Sequence, residues 1–390
     1  VAHEPSRVSR RAGYLRIGYV VALAAGVLIA ALFLFSAWSI GTLGFDYKAY
    51  DLAVDHLLAG QTMYDPTVQE TGSFGLFFYP PPFAILVLPF AVLPVDVGVV
   101  AWTVFLVVVS AVAIWVLPVP VRVRWAVLLL AVLSWPLVYA IKLGQVGPII
   151  LLTFALGWRW LDRPWRLGVS VAIGTVIKIQ PALLIGWALV TGRRRAAVVA
   201  VAVVAVIAAV ATVVAGPAAW FQEADLLGRV SKPILTPHAF GIGRLLYEAG
   251  VPESVALAVH VANLALVALV AAFAVWRGSA TGSYLAVVVA TQFLSPVLWD
   301  HYALILLLPV AWLLSRGRWW TALIPLATAT PLLLLPIPGS GWVYPVVFWA
   351  ALLAVTWEAV RDRRASLAPA APVGPSRPAA DPNLGQMIAG

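Results

Sequence analysis

The sequence predicts an all-α polytopic membrane protein, and three observations carry that prediction. Hydrophobic residues make up 63% of the 390 and charged residues only 11%. Mean hydropathy is +0.97. No soluble fold has an interior able to hide that much apolar surface. The third observation is the arrangement: long apolar runs recur along the chain, punctuated by arginines. Cysteine is absent, which excludes disulfides and thiolate metal sites. A formal charge of +9 invites a nucleic-acid function. The basic residues form no continuous patch, however, so that class is set aside.

The first run, 17–40, follows Arg7, Arg10, Arg11 and Arg16. The charged start resembles that of a signal peptide. The run is too long for a signal-peptide core and no small-residue cleavage site follows, so a retained signal anchor is expected. Next comes a polar stretch, 41–66, holding Asp46, Asp51, Asp55, His56 and Asp65. Such ionisable groups beside an apolar span are costly unless they meet water or a site. Within it, Tyr47, Tyr50, Val54 and Leu57 or Leu58 recur at helical spacing. This predicts an amphipathic helix over 47–58, lying at the membrane surface, with Asp46 as its N-cap and Gly60 ending it. Residues 75–94 are apolar but carry five prolines. Such a segment is expected to be re-entrant or interfacial rather than spanning.

Further spans are expected at 97–117, 125–141, 146–160, 167–178, 180–191, 196–216, 252–275, 280–298, 302–315, 319–336 and 342–359. With the first, that makes about 12. The pair 167–178 and 180–191 reads as a broken hairpin. With the N-terminus inside, every Lys and Arg falls on the inner side except Lys48, Lys142, Lys178, Arg229, Lys232 and Arg244. Both termini are then inside, and 41–96 and 217–251 are the long outer segments. The Pro/Ala-rich tail, 365–390, is expected to be disordered cytoplasm. No internal repeat is evident.

On this topology the polar residues set in apolar context converge on the outer side. They are Asp46, Tyr79, Lys142 and Gln145, Lys178 and Gln180, His238 and Arg244, and Asp300 and His301. Carboxylates, cations and histidines together suit a reaction with an anionic leaving group and a hydroxyl to be deprotonated. Each has a plainer alternative. Asp46 could only cap a helix. Lys178 could snorkel and Lys142 could be an interface anchor. His301, beside Asp300 and Trp299, could be a satisfied interfacial histidine. Asp51, Asp55 and His56 read as the wet face of the helix rather than a metal site. No phosphate-binding loop, serine-hydrolase elbow or zinc-protease motif is present.

The ordered stretches GFDYKAYDLAVDHLLAGQTMYDP, FFYPPPFAILVLP, LGQVGPIILLTFALGW, WRLGVSVAIGTVIKIQPALL and SPVLWDHY resemble glycosyltransferase family 87, over roughly residues 40–310. The resemblance implies a GT-C-fold integral membrane enzyme using a polyprenyl-phosphate sugar, in the manner of actinobacterial α-mannosyltransferases. It implies a single domain over 1–364. Its parts would be a catalytic module over 1–216, an outer loop over 217–251 and a variable helical module over 252–360. It also implies a catalytic Asp soon after the first span, which Asp46 fits, and it matches Lys178, Asp300 and His301 to family motifs. Lys48 departs from the expectation, since pairing with Asp46 would weaken the base.

The expected function is inverting transfer of mannose from polyprenyl-phosphate-mannose to a glycolipid or lipoglycan. A phosphatidylinositol mannoside acceptor with an α-1,2 linkage is expected, at the outer side of the plasma membrane. Asp46 and His301 are the expected catalytic residues. Lys178, Lys142, His238 and Arg244 are expected to hold the donor phosphate. Tyr47, Tyr79, Gln145, Gln180, Trp299 and Asp300 are expected on the acceptor and sugar side. Neither a metal nor another cofactor is expected, because cationic side chains can neutralise a monophosphate carrier. A flippase or transporter of lipid-linked sugars is the rival class, and another donor sugar such as arabinose is a variant of the first.

Overall fold

The computed structural model describes residues 7–68, 76–334, 337 and 339–367. Residues 69–75 of the expected outer segment and 368–390 of the expected tail lie outside them. Apart from one isolated bridge between Ser134 and Ala329, regular structure among the described residues is helical. The chain opens with α1 (Arg7–Ser39), α2 (Phe45–Leu58), α3 (Pro81–Ala91), α4 (Val95–Trp115), α5 (Val121–Leu133) and α6 (Trp135–Leu143). It continues with α7 (Gly147–Arg159), α8 (Pro164–Ile177), α9 (Leu183–Val190), α10 (Arg194–Ala215), α11 (Ala218–Val230) and α12 (Ile242–Glu248). The last third holds α13 (Glu253–Arg277), α14 (Ala280–Phe293), α15 (Leu307–Ser315), α16 (Leu323–Leu326), α17 (Thr330–Leu333) and α18 (Val343–Leu367). Residues 365–367 of the expected tail belong to α18, which runs on to Leu367.

Among the described residues, five helices are long and apolar enough to cross a membrane: α1, α4, α10, α13 and α18. Only 11% of the apolar window in α1 and 17% of that in α10 is buried within the molecule. Their outward valines, leucines and Phe35 make an apolar exterior that only a non-aqueous surrounding satisfies. By contrast α14 and α15 are buried nearly all round and form the centre of the bundle. The helix α3 has eleven residues. At 1.5 Å per residue it is about 16 Å long, half a hydrocarbon layer.

Two expected spans are not continuous. Residues 125–141 divide at Ser134, whose backbone is extended. Pro136 has no N–H to continue the ladder and instead sits in the first turn of a new helix, α6. Residues 319–336 divide into a 3-10 turn (Trp319–Ala322), α16 and α17. Pro325 and Pro331 impose those breaks. The two breaks meet: the Trp135 N–H donates to the Thr328 carbonyl beside the Ser134–Ala329 bridge. The late motif also departs from an α-helix, being 3-10 over Asp300–Leu306 before α15 begins.

Loop contacts sort the bundle into two ends. At one end Arg159 donates to the Val116 carbonyl, Arg193 to Leu161 and Arg363 to Trp276. There too Arg318 pairs with Glu358 and Arg316 with Asp362. At the other end Gly44 bonds the Lys142 carbonyl, Thr62 bonds Gln222, and Phe240 bonds the Leu298 carbonyl. Arg229 of α11 donates to the carbonyls of Val68 and Asp65, tying the two long loops together.

Candidate active site

The site is assembled where α2 crosses the end of α6. Gly144 follows α6 at φ +79, a left-handed conformation that favours glycine. A Cβ there would stand 2.9 Å from the Cβ of Tyr47. The Gly144 carbonyl accepts the indole N–H of Trp102 at 2.8 Å. Gly44, also left-handed at φ +69, donates its N–H to the Lys142 carbonyl at 2.8 Å. These two glycines let the α1–α2 turn lie directly on the α6–α7 turn. Asp46 is thereby brought beside Gln145, 99 residues further along.

Asp46 is not the expected N-cap. The helix starts two residues earlier than expected, at Phe45, with Gly44 in the cap position. Gly60 does end α2, left-handed, with Gln61 N–H closing onto the His56 carbonyl. Freed from capping, the Asp46 carboxylate accepts the Gln145 side-chain N–H at Oδ2, 2.6 Å away. Burial pushes its carboxyl above the usual carboxylate range. His301, the Gln145 hydrogen bond, Lys142 and Lys178 all act on it in the opposite sense. Lys48 is not among those groups; its Nζ donates to the Gly41 carbonyl at 2.9 Å. The feared depression of the base by Lys48 is therefore absent.

Gln145 carries the contact further. Its Oε1 accepts from the Tyr79 hydroxyl at 2.8 Å, and the Tyr50 hydroxyl donates to Tyr79 at 3.0 Å. Tyr64 braces the same segment through the Tyr79 carbonyl, at 2.8 Å. Around Tyr50 and Tyr79 pack Phe77, Phe83 and Trp102, with ring centroids 4.7–6.4 Å apart. The aromatic density of FFYPPPF is the packed floor of the site.

The late motif forms the opposite wall. Asp300 and His301 are buried. Asp300 Oδ1 accepts the His301 N–H at 2.7 Å and Oδ2 accepts the Trp135 indole N–H at 2.8 Å. Both of its oxygens are thus engaged by protein. His301 Nδ1 lies 3.3 Å from Asp300 Oδ1, off hydrogen-bond geometry. The imidazole stacks on Trp299 and meets Tyr302 edge-on. Lys178 ends α8, extended and partly buried, with Nζ 3.9 Å from the Tyr302 ring centroid. That distance is short enough for a strong cation–π contact. Lys142 lies over Tyr139, which in turn stacks on Trp135. Gln180 donates to Ser295 at 3.2 Å, while its Oε1 is buried without a partner.

Two expectations fail on geometry. Tyr47 is fully buried against Trp102 and offers no surface to an acceptor. Arg244 is spent on its own loop: it pairs with Glu248 and donates to the carbonyls of Ile234 and Leu235. Among the described residues, no hydrogen bond, ion pair or ring contact joins Arg244 or His238 to Asp46, Lys178 or His301. His238 is exposed, at φ +58, the one non-glycine left-handed residue among those described. Asp51 also differs, because its Oδ1 is buried instead of wet. Trp135, Tyr50 and Tyr302 belong to the site and were not foreseen. Only the W-P-L-V-Y run, with a proline directly after Trp135, hinted that this tryptophan sits at a break.

The sequence model of glycosyltransferase family 87 matches residues 77–298. The chain belongs to glycosyltransferase family 87. Tyr79, Lys142, Gln145, Lys178 and Gln180 fall within the matched residues, whereas Asp46, Trp299, Asp300 and His301 lie outside them. Two curated relatives from Mycobacterium tuberculosis are similar. A polyprenol-phosphate-mannose-dependent alpha-(1-2)-phosphatidylinositol pentamannoside mannosyltransferase is 28% identical over 199 residues, 49% of this chain and 46% of its own length. A polyprenol-phosphate-mannose-dependent alpha-(1-2)-phosphatidylinositol mannoside mannosyltransferase is 28% identical over 327 residues, 76% of this chain and 75% of its own. The chain thus spans about half of the first relative and three quarters of the second. In this family-87 chain the site joins one carboxylate to groups from three later segments.

Proposed function

We propose that this chain transfers mannose from polyprenyl-phosphate-mannose to a glycolipid or lipoglycan, with inversion at the anomeric carbon. A phosphatidylinositol mannoside acceptor and an α-1,2 linkage follow by analogy with the two relatives. The observation that carries the reading is the convergence on Asp46 of His301, Lys142 and Lys178, from α6, the end of α8 and the late motif. A β-linked mannosyl phosphate is attacked by an acceptor hydroxyl, whose proton goes to the Asp46 carboxylate. The anomeric C–O bond to phosphate breaks as the new glycosidic bond forms. The departing polyprenyl phosphate keeps the bonding electrons, and Lys178 and Lys142 stabilise its charge. His301 faces the same space and is assigned to the phosphate or to the acceptor hydroxyl. Lysine cations supply what a metal would, so transfer proceeds without an obligatory metal.

In this reading the fold is of GT-C type with about 12 membrane passages, several by short or broken helices. The arginine-rich end faces the cytoplasm with both termini, by the positive-inside rule, and the Asp46 end faces outward across the plasma membrane. The whole of 1–364 acts as one domain. The test is mannosyl transfer from a synthetic mannosyl-phosphoryl polyprenol by detergent-purified protein, with and without EDTA. Product formed in both supports the reading. Binding of the donor with no product, and its movement across vesicles, supports a flippase instead.

A further inference from the structure

The Gln145 side chain is committed at both ends. Its Nε2 donates to Asp46 Oδ2 at 2.6 Å and its Oε1 accepts from Tyr79 at 2.8 Å. An ionised carboxylate only accepts, so it must face the NH2 end of the amide. That leaves Oε1 toward Tyr79, which must donate to it. Tyr79, having used its proton, must in turn accept from Tyr50, 3.0 Å away. Burial pushes both phenols far above their ordinary pKa, so both keep the proton this order requires. The chain Tyr50–Tyr79–Gln145–Asp46 therefore has a fixed direction, and it ends on one oxygen of one carboxylate. Among the described residues no hydrogen bond engages the other oxygen, Oδ1.

We propose that Gln145 is the positioning residue of the base. Clamped by Tyr79 and Tyr50, it ties Asp46 Oδ2 and presents Oδ1 to the acceptor hydroxyl. This assigns Gln145 and Tyr79 to the carboxylate instead of to the sugar, and it rests on the reading of Asp46 as the base. An amide suits the task because it cannot ionise. It orients the carboxylate with one hydrogen bond and does not quench it as a lysine or arginine would. A misplaced base is costly, since displacement of about 1 Å can lower a rate by roughly 100-fold.

The test is the pH dependence of kcat/KM for mannosyl transfer by the full chain. Gln145→Leu, Gln145→Glu, Tyr79→Phe and Asp46→Asn are compared with the parent, each with its melting temperature. Removing a hydrogen bond to the ionised form raises the Asp46 pKa. The acidic limb should therefore move to higher pH in Gln145→Leu, and further in Gln145→Glu, where two carboxylates face each other. Gln145→Leu should lose ~10-fold or more in kcat with little change in acceptor KM. Tyr79→Phe leaves Asp46 and Gln145 in place and should show a smaller shift in the same direction, which preserves the test if Gln145→Leu does not fold. A uniform loss with the limb unmoved in folded variants overturns the proposal. If Asp46→Asn is itself active, the base assignment has failed, and that outcome is distinct from an unmoved limb with Asp46→Asn inactive.

Discussion

Trp135 donates its indole N–H to Asp300 Oδ2 at 2.8 Å, joining residues 165 apart in the chain. The same carboxylate accepts the His301 N–H through Oδ1, so this one bond fixes the start of the late motif. Trp135→Phe keeps the ring packing against Tyr139 but leaves Oδ2 unpaired in a buried place. The expected cost is about 1–3 kcal/mol of stability. It should be read as a lower melting temperature in detergent, together with slower transfer. An unchanged melting temperature and rate would show that Asp300 finds its partner elsewhere.

Lys178 holds its ammonium over the Tyr302 ring, which keeps it at the site without pairing it to a carboxylate. Lys178→Ala should weaken use of the polyprenyl-phosphate donor by ~1.5–3 kcal/mol, the usual worth of a charge-assisted bond. Lys178→Arg should rescue poorly, because a planar fork needs different room. Donor KM and kcat equal to the parent's in the alanine variant would remove Lys178 from the site.

Glu223 of α11 is buried beside Tyr64, and burial pushes its carboxyl up to about 7. Its folded pKa lies above the ordinary glutamate value of 4.5, so the folded state holds the extra proton between those two values. Stability from this group is present below about 4.5 and is lost as pH rises through about 7. Glu223→Gln should raise the melting temperature at pH 8 and leave it nearly unchanged at pH 4.5. Equal shifts at both pH values would contradict the assignment.

Much of this arrangement was legible in the sequence, and the rest was hidden for physical reasons. The α2 stripe is local, so Tyr47, Tyr50 and Val54 read correctly as its buried face. Asp46, Lys142, Lys178 and His301 stood out because ionisable groups beside apolar runs are costly. The partner of each, by contrast, is a tertiary fact: nothing near Gln145 in the sequence points to Asp46 or Tyr79. Trp135 lay hidden inside the expected span 125–141, where an indole reads as one more apolar side chain. Arg244 could have been discounted earlier, since R-L-L-Y-E places Glu248 at i+4, where a local ion pair forms. The breaks at Ser134 and near Thr328 were signalled by Pro136, Pro325 and Pro331, but the length of the apolar runs masked them.

The two ends of the bundle give a test of sidedness. The chain has no cysteine, so single cysteines at exposed positions 61 and 163 report without background. An impermeant thiol reagent applied to intact cells should label position 61 and leave 163 unlabelled. The reverse pattern would put the Asp46 end in the cytoplasm.

The central claim is that the Asp46 carboxylate takes the proton of the attacking hydroxyl. Asparagine keeps the shape, and its amide oxygen can still accept from Gln145, so Asp46→Asn should fold and melt like the parent. What it loses is basicity. Purified Asp46→Asn protein, given a synthetic mannosyl-phosphoryl polyprenol and a phosphatidylinositol mannoside, should transfer mannose at least ~100-fold more slowly than the parent. Transfer near the parent rate by a stably folded Asp46→Asn protein would contradict the account and move the search for the base to His301.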